Sequence, residues 1–169
     1  IEQQALTQVQ AVVIAFLLNE KGYSPADLQV NHTVDLTLAD GKTFQTMADI
    51  LIVIAGRPVL FVKCSMSSLA SWDRHSVAFC RAGTGVQIPL AVVTDGTDAR
   101  LISGLDGSVS EGKLEAIPSR KEMLQIIAAT VAACYPAEKA ERERRILFAF
   151  DAIRCPTLSE GYPKKPDGQ

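Results

Sequence analysis

Residues 47–65 read MADILIVIAGRPVLFVKCS and contain two apolar runs, Met47–Ile54 and Val59–Cys64. Between them lies Ala55-Gly56-Arg57-Pro58, whose glycine and proline are typical of a tight turn. Wholly apolar runs of this length are typical of strands that are covered on both faces of a sheet. The stretch therefore predicts a buried hairpin at the centre of the fold.

Each strand of this hairpin carries one charged residue, Asp49 in the first and Lys63 near the end of the second. If the turn is centred on Gly56, both lie the same number of residues from it and face each other across the strands. Opposite charges at such positions stabilise a hairpin by about 0.2–1 kcal/mol. We therefore expect Asp49 to hold Lys63.

The segments before the hairpin predict a helix over residues 2–20, with apolar residues at helical spacing, and a short turn at Ser24–Asp27. From Gln29 to Leu38 apolar and polar residues alternate, as in a half-buried strand. The Asp40-Gly41 dipeptide is a hairpin signal. These elements predict a three-strand antiparallel meander that ends at Cys64.

After the meander, the sequence predicts a helix over residues 67–82, strands at Leu90–Thr94 and Ala99–Ser103, and a turn-rich loop at Gly104–Gly112. A capping box at Ser119–Glu122 begins a helix to about Cys134. The sign-alternating run EKAERERR is typical of a solvated helix face and leads into a last helix that ends near Arg154. The order predicts an α/β fold in which helices flank a mixed sheet.

We expect one domain over residues 1–155, including C-terminal helices at about 119–155, followed by a mobile tail at 156–169. The composition is that of a globular protein, with 47% hydrophobic and 21% charged residues. A net charge of −2 gives no global attraction for nucleic acid, so such binding would need a local basic surface.

The cysteine pattern and the chain ends bear on location. The four cysteines show no zinc-ligand spacing, and Cys64 and Cys80 are predicted core thiols. No signal peptide or membrane-spanning run is visible, which predicts a cytoplasmic chain. Since the sequence begins with Ile1, we expect a few residues to precede it.

Three features together resemble a known family: the entry LLNEKGYSPADLQV, the hairpin MADILIVIAGRPVLFVKCS, and the segment PLAVVTDGTDARLI. Over about Ala5 to Ser103 the chain is similar to the N-terminal nuclease domain of type I restriction enzyme R subunits, within the PD-(D/E)XK superfamily. The resemblance implies a restriction endonuclease-like core, nucleic acid (DNA) as the partner and, in active members, Mg²⁺ as the cofactor.

In active relatives the first hairpin strand carries an Asp and the second carries Glu-x-Lys. The two carboxylates hold Mg²⁺, while the lysine assists the attacking water and the phosphate charge. Asp49 matches the Asp and is the candidate metal ligand, but Lys63 and Ser65 stand at the Glu and Lys positions. The resemblance therefore implies a degenerate catalytic site at Asp49, Lys63 and Ser65, and no cofactor if the site is inactive.

An active site would need a carboxylate from another element, and Glu2, Glu20 and Asp73 are the alternatives. On the helix after the hairpin, His75 stands four residues before Phe79, where relatives carry a Gln. His75 is therefore either a polar group that faces the site or a partly exposed helical histidine. A phosphate-binding patch is predicted from four cations, Arg57, Lys63, Arg74 and Arg81. The candidate nucleic-acid contacts are therefore the three arginines Arg57, Arg74 and Arg81, together with His75.

The sequence leaves three functions open. The first is a catalytically degenerate nuclease-like domain that binds nucleic acid, and the second is an active Mg²⁺-dependent DNA endonuclease with a migrated carboxylate. The third is a protein-interaction or homodimerisation module, in which Phe148 and Phe150 of the final helix contribute to an exposed face. No membrane partner is expected.

Overall fold

A computed structural model describes residues 1–152 of the chain. Residues 153–169, with the predicted helix end near Arg154 and the predicted mobile tail at 156–169, lie outside the described part. The helices are α1 (Glu2–Asn19), α2 (Asp73–Ala82), α3 (Arg120–Ala128) and α4 (Ala137–Asp151). The strands are β1 (Leu28–Thr37), β2 (Thr43–Ile54), β3 (Arg57–Cys64), β4 (Leu90–Thr94), β5 (Asp98–Ser103) and β6 (Val109–Lys113).

The six strands form one mixed sheet in sequence order, β1 to β6. All neighbouring pairs are antiparallel except β3 and β4, which are parallel. A parallel pair needs a crossover connection, and α2 lies in it. The predicted α/β fold, a meander followed by a crossover helix and further strands, is confirmed and fits a nuclease-like core.

The central hairpin has the predicted register. Ile50 pairs with Val62 and Ile52 with Leu60, which places Asp49 and Lys63 at the next facing positions. The turn is tighter than predicted, because β3 begins at Arg57 rather than at Val59. Ala55 and Gly56 both have positive φ, 50° and 77°, as a type I′ turn requires.

Two apolar layers pack on opposite faces of the sheet. On one face α1 and α3 contribute Val13, Leu17 and Met123 to a core cluster. On the other face α2 and α4 contribute Phe79 and Leu147 to a second cluster. The hairpin strands β2 and β3 contribute side chains to both clusters.

Strand β2 changes its buried face at Asp49. Ala48 packs in the cluster with α2 and α4, whereas Ile50 packs in the cluster with α1 and α3. In a regular strand these two residues would share a face. Opposite Asp49, Asn31 of β1 has a left-handed backbone with φ of 52°. Asp49 therefore lies at a local distortion of the sheet.

Three predictions about the C-terminal half are wrong. Residues 109–113 form the edge strand β6 rather than part of a loop. Helix α3 ends at Ala128 instead of near Cys134, and the guanidinium of Arg57 donates hydrogen bonds to the carbonyls of Ile127 in its last turn and of Thr130 just past its end. The charged run is part of α4 rather than a segment before it; most of its charged residues are exposed as predicted, but Glu143 is 2% exposed.

Smaller details also differ from the sequence prediction. The predicted helix 67–82 begins as a 3₁₀ turn at Leu69–Trp72 before α2. Phe148 and Phe150, the candidates for an exposed dimer face, pack partly buried against Phe44 and Trp72, at ring-centroid distances of 5.4 and 5.7 Å.

Candidate functional site

The candidate site is built around the carboxylate of Asp49. Its Oδ2 accepts a 2.7 Å hydrogen bond from the backbone N–H of Cys64 and lies 3.6 Å from Nζ of Lys63. The side chains of Asp49 and Lys63 are 13% and 18% exposed. The expected pairing of Asp49 with Lys63 is therefore confirmed, and one carboxylate oxygen has both partners.

The backbone around Asp49 is held by helix α1. Nε2 of Gln10 donates to the carbonyl of Asp49 at 2.8 Å and to Oδ1 of Asn31 at 2.9 Å. Asparagine tolerates the left-handed backbone seen at this position better than most residues. The distortion of the sheet is thus fixed by two amide side chains that the sequence pattern did not single out.

The ammonium of Lys63 has a second partner beside Asp49. Its Nζ lies 4.4 Å from the centre of the Trp72 ring, within the range of a cation–π interaction. Trp72 is 3% exposed, at the end of the 3₁₀ turn before α2. The lysine is therefore held between a carboxylate and an indole, so its charge is locally compensated.

Beside this pair lies a polar cleft between α1 and the distorted strands, with a volume of about 210 Å³. Amide, hydroxyl and charged groups make up most of its polar lining. The lining residues are Gln3, Leu6, Thr7, Gln10, Asn31, Met47, Asp49, Lys63 and Cys64. Such a cleft offers hydrogen-bond donors and acceptors with little net charge.

Ser65, which was predicted to stand at the position of the catalytic lysine, is 4% exposed and immediately follows β3. Its backbone N–H donates to the carbonyl of Thr94 at 2.9 Å. Its Oγ accepts from the N–H of Ser67 at 3.2 Å and lies 3.1 Å from the Ser67 Oγ. The hydroxyl therefore stabilises the loop after β3.

The donor groups at Asp49 do not fit a two-carboxylate Mg²⁺ site. Magnesium prefers several oxygen ligands, including one or two carboxylates. Within residues 1–152, no three His, Cys, Asp or Glu side chains are grouped so that they could hold a metal ion. At the predicted position of the second carboxylate, Lys63 places a positive charge 3.6 Å from the carboxylate of Asp49. That charge would repel a divalent cation.

The alternative carboxylates have other positions or partners. Asp73 accepts two hydrogen bonds from Arg100, at 2.9 and 2.7 Å. Glu20 lies at the far end of α1, beside Arg120 and Lys121. Glu2 is exposed in the first turn of α1, while the cleft itself is lined by Gln3 and residues after it. Asp49 therefore has no carboxylate from these three as a neighbour in the cleft lining.

The four candidate cations of a phosphate-binding patch are not brought together. Arg57 binds carbonyls at the end of α3, and Lys63 binds Asp49. Arg74 and Arg81 of α2 both bind Glu143 of α4. The patch therefore separates into three locations, of which one holds two of the four cations.

The expectation that His75 is partly exposed or faces the site is wrong. The residue is 1% exposed, and its Nε2 lies 3.0 Å from Oδ2 of Asp151 on α4. Its ring packs against Trp72 and Phe150, with centroids 5.1 and 5.3 Å away. His75 thus connects α2 to α4 in the core, because α4 covers the face of α2 on which it lies.

Cys64 and Cys80 are buried, as predicted. Burial, with a smaller contribution from Asp49, raises the pKa of the Cys64 thiol to about 12. The thiolate is the nucleophilic form of cysteine. Although Cys64 lines the cleft, its thiol is therefore kept protonated and unreactive at neutral pH.

Comparison with known proteins agrees with these residues and this fold. A family model described as type I restriction enzyme R protein N terminus matches residues 8–118. This range begins within α1, contains the whole sheet and ends before α3. No curated protein and no solved structure matched the chain. Across the described residues, every helix is too short or too polar to cross a bilayer.

Proposed function

Because the chain belongs to the type I restriction enzyme R protein N-terminal family, we propose that it is a catalytically silent, nuclease-like domain that binds nucleic acid, with DNA as its ligand. The proposal has two parts, the loss of hydrolysis and the retention of binding. Each part rests on its own support and has its own test.

The observation that carries the first part is the ammonium of Lys63 beside Asp49, 3.6 Å from Oδ2. A metal-dependent nuclease needs a divalent cation to polarise the phosphate and to activate water. Here a protein cation stands beside the carboxylate that would be its ligand. The Cys64 amide also binds that oxygen, which leaves Asp49 as a structural anchor between β2 and β3.

Family membership and the chemistry of the cleft support the second part. Side-chain amides and hydroxyls bind phosphate and sugar oxygens as well as base edges. The cleft offers the side-chain amides of Gln3 and Asn31 beside Lys63. Their donors suit a nucleic-acid strand even where no metal is bound.

The hydrolysis part is tested by incubating plasmid and single-stranded DNA with the protein and either Mg²⁺ or Mn²⁺. We expect no cleavage by the wild-type chain. Metal-dependent cleavage that disappears in Asp49→Ala would overturn the proposal, because a contaminating nuclease would survive that substitution.

A gain-of-binding variant sharpens the same test. Lys63→Glu places a second carboxylate beside Asp49, and Lys63→Gln is the matched control that removes the charge without adding a ligand. By titration calorimetry we expect Mn²⁺ binding in Lys63→Glu alone. Equal Mn²⁺ binding by the wild-type chain would show that Lys63 does not exclude the metal.

The binding part is tested with labelled DNA at low salt by an electrophoretic mobility shift. Non-specific protein–DNA complexes have dissociation constants of roughly 10⁻⁴–10⁻⁶ M at physiological salt and tighten as salt is lowered. We therefore expect a shift at micromolar protein. Absence of any shift at that concentration would end this part of the proposal.

A further inference from the structure

A second polar groove lies between α2 and α4, on the face of the sheet opposite to α1. Its volume is about 490 Å³. Its lining is almost entirely charged, apart from one aromatic ring. The lining residues are Arg74, Arg81, Tyr135, Glu138, Lys139, Arg142 and Glu143.

The floor of this groove holds two guanidinium groups on one carboxylate. Glu143, with its side chain 3% exposed, accepts hydrogen bonds from Arg74 at 2.8 and 2.9 Å. Arg81 adds a longer contact of 3.4 Å to the same carboxylate. The carboxylate neutralises only one of the two cations, so the floor keeps a positive charge.

Two further cations lie on the rim, and they are exposed. Lys139 and Arg142 are three residues apart on α4, so they share one side of the helix. Neither makes an ion pair within residues 1–152. Counting the whole lining, four cations face two carboxylates, which leaves a net charge of +2 on a chain whose total is −2.

The ring of Tyr135 lies at the side of the groove. The guanidinium of Arg81 stands 5.2 Å from its centre, and the residue is half-buried. Grooves that combine cations with an aromatic ring bind nucleic-acid strands, since the cations contact phosphates and the ring stacks on a base. This combination is absent from the lining of the Asp49 cleft, where Lys63 is compensated by Asp49.

We propose that the groove between α2 and α4 is a second nucleic-acid surface, separate from the Asp49 cleft, that binds the phosphodiester backbone, with Lys139 and Arg142 as its exposed phosphate contacts. This inference rests on the proposed function and adds a backbone-binding surface to it. It replaces the patch of Arg57, Lys63, Arg74 and Arg81, which the fold separates. Arg74 and Arg81 remain in the groove as its positive floor.

The test uses fluorescence anisotropy with labelled DNA and RNA oligonucleotides of one sequence, each single- and double-stranded. The variant Lys139→Glu with Arg142→Glu reverses the two rim charges. The control, Lys42→Glu with Lys121→Glu, changes the total charge equally at two exposed cations outside the groove. Circular dichroism checks that both variants are folded.

We expect the groove variant to bind at least about tenfold more weakly and to reduce the salt slope by about 2, because two phosphate contacts are lost. The control should bind within about twofold of the wild-type chain. Equal weakening in both variants, or none in the groove variant, would overturn the inference while the proposed function stands. No binding by the wild-type chain would overturn both.

A second readout avoids charge reversal. Lysine acetylation of the wild-type chain, mapped by mass spectrometry with and without the oligonucleotide, should show protection at Lys139 and none at Lys42. Protection at Lys63 in place of Lys139 would move the binding surface to the Asp49 cleft. The DNA and RNA arms show which backbone the groove prefers.

Discussion

Asp49 and Glu143 are both buried acids with cationic partners, and they differ in how completely their partners are neutralised. Asp49 faces one lysine at 3.6 Å and one backbone amide at 2.7 Å. Glu143 faces two arginines, one of them through two hydrogen bonds. The first arrangement is neutral as a whole, whereas the second keeps a surplus positive charge.

The difference separates two roles that one site would combine in an active nuclease. Asp49 lies within the residues matched by the family model and was predicted to stand at the position of a metal ligand, but its carboxylate is paired with Lys63. Glu143 lies on α4, outside the matched range, and holds arginines beside an open groove. A carboxylate without a cationic partner would attract a metal ion, whereas arginines whose charge is not fully neutralised by carboxylates attract phosphate.

The largest expected effect is on Glu143. The substitution Glu143→Gln leaves two partly buried guanidinium groups without their counter-charge, and removal of one partner from a buried pair costs about 3 kcal/mol. Urea denaturation measures this loss of unfolding free energy. The matched control is Glu138→Gln, an exposed groove acid, which should cost less than about 0.5 kcal/mol. Equal costs would show that Glu143 is not the anchor of the groove.

A smaller effect is expected at Asp49. Asp49→Ala leaves the buried Cys64 amide without an acceptor and Lys63 without its counter-charge, which should cost about 2 kcal/mol. Asp49→Asn keeps an oxygen for the amide and should cost about 1 kcal/mol. Thermal or urea unfolding measures both. If the two variants are equally unstable, the Lys63 ion pair rather than the amide hydrogen bond holds Asp49.

The smallest expected effect is a loss of stability at low pH. Burial acts to raise the pKa of Glu143, but the hydrogen bonds and charges of Arg74 and Arg81 outweigh it and hold that pKa below its usual value. The unfolded chain therefore takes up this proton first, and stability is lost as the pH falls below about 4. The stability from Glu143 is fully present above that pH.

Urea midpoints measured between about pH 3 and about pH 7 check the acid effect. Glu143→Gln should show a shallower loss of stability below about pH 4 than the wild-type chain. Asp27 provides a comparison, because burial is again outweighed, here by hydrogen bonds from Arg120 and Ser24 that lower its pKa. If stability falls with pH as steeply in Glu143→Gln as in the wild-type chain, the arginines do not lower the pKa of Glu143 in the folded state.

Most of the sheet could be predicted from local patterns. The apolar runs of β2 and β3, the alternation in β1 and the capping box before α3 each lie within one stretch of chain. Strand β6 was missed because VSEGK is polar and mostly exposed, and its pairing with β5 is not visible in its own pattern. The end of α3 was missed because Arg57, which is distant in the sequence, binds the carbonyls of Ile127 and Thr130 on either side of that end.

The site was predicted in part. The pairing of Asp49 with Lys63 follows from hairpin register alone, which is local. Gln10 and Asn31 were missed, since nothing in a polar helix face or an alternating strand marks which amides will meet at a distorted strand. Glu143 was taken for a solvated residue because sign alternation does not reveal which side of a helix packs on α2.

The sequence by itself determined the order of the helices and of strands β1 to β5, and the pairing of Asp49 with Lys63. The elements follow from residue type and spacing within single stretches, and the pair follows from the register of one hairpin. Only the tertiary structure decided the partners of the other cations and of His75. Arg57 meets α3, while Arg74, Arg81 and His75 meet α4, because each contact joins elements that are distant in the chain and adjacent only after packing.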